Sequence, residues 1–417
     1  MSLGGGQPQY SPPPGQQHAY GQPPQPVYAP TRFPSALAKP EAYAPPAPAA
    51  PAPAPAIPAL PVPVRKGRSA SIWLFGVLGF VLLLLAAYFG YALGAAASVV
   101  GMVLALVPLT IVLLGVRLID RWEPEPKSLV VFAIAWGGIA AIGLTLLVDL
   151  ALTLAVGMRS EFFSAVIQAP VVEEVTKGLG VFLIFVMARR AFDGPVDGVV
   201  YGALVGAGFA FTENIQYFAI SLIEGGAEQL TFTFVLRGLM SPFAHAMFTA
   251  LTGFAIGLAA RRGAGAGGAF GAGVLGVLGA IALHAFWNGS SMIGDFFVLY
   301  ITAQIPLFVG FIFAIVALRR EEARLTQQRL GEYATAGWFT PEEVTMLATP
   351  AGRKVGMRWA AGLRGDRSAL MKSFIKDATD LAAVRQRAVS GGDPHAASDE
   401  QVLLVRTRAT RAALLAY

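Results

Sequence analysis

The chain has 417 residues, 55% of them hydrophobic and only 13% charged, with a mean hydropathy of +0.59. A soluble domain carries about a quarter charged residues, so this composition excludes an ordinary soluble fold and predicts a polytopic membrane protein. The net charge of +6 is divided between the ends of apolar runs and the C-terminal region, which excludes a nucleic-acid footprint, and the lack of cysteine excludes disulfides and thiolate metal sites.

Residues 1–68 are rich in Pro, Gln, Ala and Gly, as in Gly21-Gln22-Pro23-Pro24-Gln25-Pro26. They hold too little apolar surface for a core, and predict a disordered cytoplasmic tail with polyproline-II character that acts as a spacer. No early apolar stretch marks a signal peptide. Arg65, Lys66 and Arg68 then precede the first apolar run.

Runs of spanning length fall at about 71–92, 97–116, 128–156, 162–188, 198–220, 232–260, 269–291 and 296–318. The second is interrupted by Pro108. Basic residues follow every second span: Arg117, Arg121 and Lys127, then Arg189 and Arg190, then Arg261 and Arg262, then Arg319 and Arg320. The intervening loops hold little positive charge, so the positive-inside rule places both termini in the cytoplasm. The expected fold is all-α: a bundle of about eight transmembrane helices over 69–320, followed by a helical cytoplasmic accessory region over 321–417. In that region Thr340-Pro341-Glu342-Glu343 and Ser398-Asp399-Glu400-Gln401 read as capping boxes. Between spans two and three, Asp120-Arg121-Trp122-Glu123-Pro124-Glu125-Pro126 reads as a stiff juxtamembrane turn.

Ionisable groups at membrane depth are costly and mark function. Span four carries Glu173, Glu174 and Lys177, with Glu173 and Lys177 four apart on one face. Span five carries Glu213 and Asn214, span six His245 and Thr249, and span seven His284 and Asn288. At 1.5 Å per residue, Glu173, Glu213, His245 and His284 all fall roughly 17–22 Å along their spans, in one layer between the midplane and the outer quarter. Arg237 and Asp149 lie nearer the outer ends and are expected to be interfacial or ion-paired. Gly202, Gly206 and Gly208 are expected to permit close helix packing.

Such a layer suits hydrolysis. A carboxylate can take a proton from water, an imidazole or second carboxylate can position that water, and His and Asn can donate to an oxyanion. Glu213, His245 and His284 are also a permissible zinc-ligand set, although Thr249 and Asn288 at the i+4 positions suit water positioning equally well. A proton-coupled transporter or channel would line its path with the same residue types. The amide four residues beyond His284 favours hydrolysis, since a proton relay has no need of it.

Glu173-Glu174-x-x-Lys177, Phe209-x-x-x-Glu213-Asn214, His245-x-x-x-Thr249 and His284-x-x-x-Asn288, in four successive spans, resemble the PrsW family of intramembrane proteases, within the wider superfamily of CAAX-processing and bacteriocin-processing membrane proteases. The Glu-Pro-Glu-Pro run at 123–126 resembles the family too, and the likeness covers roughly 117–318. In CAAX-processing relatives a His stands where Glu213 stands here. The resemblance implies a bacterial plasma-membrane endopeptidase, of glutamate type or a metalloprotease, that cuts a single-pass membrane substrate of the anti-sigma-factor kind. Its expected partners are that substrate and the lipid bilayer, with no nucleic acid. The expected roles are Glu173 as general base, Glu174 as its partner or substitute, Lys177 as their counter-charge, Glu213 and His245 as holders of water or zinc, and His284 and Asn288 as oxyanion donors, with Asn214 completing the set.

Overall fold

In a bilayer each backbone N–H must find its partner within the protein, so uninterrupted apolar sequence becomes helix. A computed structural model describes residues 72–391 and 393–416, and every regular element among them is helical. The tail expected over 1–68 lies outside the described residues. The elements are α1 (Ile72–Ala92), α2 (Ala95–Ile119), α3 (Lys127–Val156), α4 (Ala169–Met187), α5 (Pro195–Thr233), α6 (Ala244–Arg261), α7 (Ala266–Ile293) and α8 (Phe296–Thr335). Four shorter helices follow: α9 (Pro341–Ala348), α10 (Pro350–Ala361), α11 (Ser368–Ser390) and α12 (Ala396–Leu415). α2 continues unbroken through Pro108. Widened π-helical turns occur at Trp136–Ala141 inside α3, at Phe163–Gln168 before α4 and at Phe234–Met240 before α6.

Among the described residues, six helical stretches are long and apolar enough to cross a membrane, against eight expected. The difference has two physical causes. One stretch, Pro195–Arg261, contains both the fifth and the sixth expected spans, because the chain reverses within it. Gly226 makes that reversal at φ 63°, a backbone region that residues with a Cβ rarely adopt. α4, the expected fourth span, carries Glu173, Glu174 and Lys177 and so falls outside a count by apolarity.

The hairpin of α5 and α6 is the centre of the bundle. A Cβ at Gly202 would lie 2.5 Å from Thr249 O, and one at Gly206 would lie 2.3 Å from His245 O. The two backbones therefore touch along the α6 face that carries His245 and Thr249, as the glycine spacing predicts. On the other face of α5, Gly208 would meet Ile134 O at 2.1 Å and Gly137 would meet Val205 O at 1.9 Å, which brings in the π turn of α3. The main core fills the remaining space with Phe132, Phe185, Phe192, Tyr201 and Leu204.

The C-terminal helices close around the end of α8. Tyr333 donates to Glu400 Oε1 at 2.5 Å, and Arg385 Nε donates to Glu332 Oε2 at 2.8 Å. The box at Thr340 forms as expected, with Glu343 N–H donating to Thr340 Oγ1 and Thr340 N–H to Glu343 Oε2. The second expected box does not form. α12 begins at Ala396, and Ser398 already lies in its first turn, its hydroxyl donating back to His395 O. The Asp393-Pro394 turn starts the helix earlier, with Asp393 Oδ1 accepting from His395 N–H. This region is joined to the loops of the membrane bundle. Arg387 pairs with Asp193, and the Arg353 guanidinium stacks 3.4 Å over Trp122. The expected stiff turn is therefore anchored on both sides, since Tyr201 also donates to Glu125 Oε2 at 2.5 Å.

Candidate active site

α4, α5, α6 and α7 converge on one buried ammonium. Lys177 Nζ donates to Glu174 Oε1 at 2.8 Å, to Glu173 Oε2 at 3.0 Å and to His245 Nδ1 at 3.1 Å. It also lies 3.9 Å over the ring of Phe209. Lys177 and Glu174 are 0% exposed. A charge this deep is sustained only by opposite charges and hydrogen bonds, and here all three ammonium protons are used.

The two glutamates are not equivalent. Glu174 is held at both oxygens: Oε1 accepts from Lys177 and from His284 Nδ1 (3.0 Å), and Oε2 from Thr249 Oγ1 (3.0 Å). Glu173 Oε2 accepts from Lys177, while no hydrogen bond to its Oε1 is recorded among the described residues. Glu173 thus has a carboxylate oxygen for a water, and Glu174 does not. His245 and His284 meet edge to face with centroids 5.1 Å apart, and Phe248 stacks on His284 at 4.7 Å.

The remaining expected site residues separate into two groups. Glu213 Oε2 lies 2.9 Å from His245 Nε2 and is bridged by Arg237 Nη2, while Asn214 Oδ1 accepts from Arg237 Nε at 2.8 Å. Asn288 donates to Ala165 O at 2.8 Å, in the π turn before α4, and not to the carboxylates. Arg237 is ion-paired, one of the two roles expected for it, with Glu213 of the motif as its partner; the sequence did not single out Trp136, whose Nε1 donates to Thr176 O at 3.0 Å and so fixes the α4 backbone beside Lys177. Asp149 is ion-paired as expected, with Arg159 at 2.8 Å.

The fold and this site define a polytopic helical membrane protein with a carboxylate–lysine–histidine centre built from four helices. Residues 125–315, which contain the whole centre, match the profile described as PrsW family intramembrane metalloprotease. The chain is 33% identical over 140 residues to the protease PrsW of Geobacillus kaustophilus, covering 34% of this chain and 58% of that relative. It is 32% identical over 140 residues to the protease PrsW of Bacillus subtilis, covering 34% and 60%. The matches thus span less than two thirds of the length of these relatives. Over residues 125–315 the chain is thus similar to PrsW family proteases. No solved structure matches the chain.

The profile's description implies a metal. Glu173, Glu174, His245 and His284 each offer a ligand atom, all within 4.8 Å of one another, and this donor set suits zinc. The expected ligand Glu213 is not in that group, being drawn to Arg237 on the far side of His245. The position a metal would take among three of these four donors is filled by Lys177 Nζ, at 2.8–3.1 Å from each. As arranged, the residues fit an internal ammonium and do not fit a metal.

Proposed function

We propose that the chain is an intramembrane endopeptidase that hydrolyses a peptide bond of a membrane protein, with Glu173 as general base. The observation that carries this reading is the asymmetry of the pair: Glu174 is saturated by Lys177, His284 and Thr249, whereas Glu173 keeps an oxygen for water while sharing the same ammonium. Glu173 takes the water proton as the hydroxyl adds to the scissile carbonyl. Glu174 fixes the Lys177 ammonium and His284, which hold the layer's charge in place as the oxyanion develops. Asn288 uses one amide hydrogen on Ala165 O and keeps the other for that oxyanion. The comparisons with protease PrsW support the reaction class, and the centre supports a metal-free glutamate form of it. A single-pass protein of the anti-sigma-factor kind is the proposed substrate, and both termini are proposed to be cytoplasmic.

The deciding experiment is cleavage of a single-pass substrate by purified protein. Glu173→Gln keeps the side-chain shape and removes the base, and is expected to lower the rate by at least about a hundredfold. Wild-type rate in that variant removes Glu173 as base. Topology is checked in the naturally cysteine-free chain by single cysteines at positions 325 and 226: labelling from outside is expected only at 226, and labelling at 325 overturns the orientation.

A further inference from the structure

Arg237 enters the site because of the chain reversal at Gly226. Beyond it the chain runs back along the part of α5 that precedes Gly226, with Ser221 Oγ and Thr233 Oγ1 2.8 Å apart and the Phe218 and Phe234 rings at 5.6 Å. The π turn Phe234–Met240 then presents Arg237 to α5. Its Nε donates to Asn214 Oδ1 at 2.8 Å, its Nη2 donates to Glu213 Oε2, and its guanidinium lies 3.9 Å over Tyr217. The motif pair Glu213-Asn214 thus forms a two-point seat for one guanidinium, the bidentate geometry that Arg favours and Lys cannot reproduce.

The protons beyond that seat follow from donor and acceptor chemistry. A lysine ammonium only donates, so His245 Nδ1, 3.1 Å from Lys177 Nζ, must accept. The His245 proton is then on Nε2, which lies 2.9 Å from Glu213 Oε2 and donates to it. His284 has the opposite form, because its Nδ1 faces the carboxylate oxygen Glu174 Oε1 at 3.0 Å and must donate. Two imidazoles 5.1 Å apart therefore hold opposite tautomers. Which nitrogen of an imidazole carries the proton is set by the partner of the other nitrogen, and the partner here is Glu213 as Arg237 holds it.

We propose that Arg237 is a positioning residue: by clamping Glu213 against His245 Nε2 it keeps His245 in the Nε2–H tautomer, so that Nδ1 can accept from Lys177. With the proton on Nδ1 instead, the third Lys177 N–H would face a donor, and the ammonium would move off Glu173 and Glu174. The consequence for catalysis rests on the hydrolytic reading above; the tautomer does not.

The test uses the full-length protein in detergent with 15N-labelled histidine. His18, His245, His284 and His395 are its four histidines, and His18→Gln with His395→Gln leaves the two of interest. The wild-type spectrum is expected to show one Nε2–H and one Nδ1–H imidazole. Arg237→Gln is expected to convert His245 to a tautomer mixture and to lower kcat roughly tenfold or more with KM within about twofold, the size typical of a lost orienting partner. Guanidinium ion added to Arg237→Ala is expected to restore both the tautomer and part of kcat, which a merely structural role would not allow. Where Arg237→Gln fails to fold, Arg237→Lys, which keeps the charge and loses the two-point seat, is read in the same way. An unchanged His245 spectrum in these variants, or an Nδ1–H His245 in the wild type, overturns the proposal. A tautomer shift without substrate cleavage by the wild type overturns the hydrolytic reading and leaves the role of Arg237 standing.

Discussion

At the scale of single residues, the site is organised by Lys177. It is 0% exposed and compensates two carboxylates at once. Removing one partner from a buried ion pair costs about 3–5 kcal/mol, since the other charge is left without compensation. Lys177→Met should therefore lower the melting temperature in detergent well below that of Glu173→Gln, which leaves the Lys177–Glu174 pair in place. Equal melting temperatures would mean that Lys177 does not hold the centre together. The same geometry makes a metal test informative. Activity should survive a strong chelator, and elemental analysis of active protein should find no stoichiometric metal; loss of activity on chelation with recovery on adding zinc would show that the ammonium yields its place to a metal. Residues acting in one step are non-additive, so Glu173→Gln with His284→Ala should cost much less than the product of the two single losses.

At the scale of elements, the glycines of α5 determine whether the motifs can meet. His245 can reach Lys177 only because nothing larger than hydrogen stands between Gly206 and the His245 carbonyl. Gly206→Ala would put a Cβ 2.3 Å from that oxygen, and backbone cannot yield as a flexible side chain does. The variant is expected to melt lower and to lose activity, because α6 and its histidine must shift together. Gly271→Ala on α7 is the control, with nothing within 4 Å of the added Cβ. It should be neutral or stabilise by about 0.5–1 kcal/mol, as replacing helical glycine by alanine usually does. A thermal melt of both variants decides the matter; equal effects would show that the α5–α6 contact is not limiting.

At the scale of the whole molecule, the C-terminal helices pack on one another and are held to the bundle through Arg387–Asp193 and Arg353–Trp122. Glu400 is buried among these helices. Burial raises its carboxyl above the ordinary range, and the Tyr333 hydroxyl and Arg385 oppose that only in part. A carboxyl with a raised folded-state pKa binds its proton more tightly in the folded chain. Its contribution is therefore fully present below the unfolded value near 4.5 and is lost as pH rises through the folded one. Glu400→Gln mimics the protonated form and should gain more in melting temperature, relative to wild type, at pH 8 than at pH 5. A gain that does not change with pH would show that Glu400 contributes nothing to this dependence.

Composition and spacing alone establish a helical membrane protein, and they identify Glu173, Glu174, Lys177, Glu213, His245 and His284 as groups that apolar sequence does not carry without cause. They do so because hydrocarbon penalises each such group separately, so each is conspicuous one at a time along the chain. The glycines of α5 are legible for the same local reason, since only close packing explains them. Partnership is not local. Glu173 and Glu174 are adjacent and chemically identical, and only the approach of His284 and Thr249 from two other helices distinguishes the saturated carboxylate from the one with a free oxygen. Arg237 lies in sequence near the outer end of a span, and the reversal at Gly226 with the π turn after it brings the guanidinium back to Glu213 and Asn214. Asn288 has the expected spacing from His284, yet the π turn before α4 takes its amide. The identity of the charged groups is a property of the one-dimensional chain, because desolvation acts on each alone; their pairing depends on distances of about 3 Å between helices, which exist only once the bundle is packed.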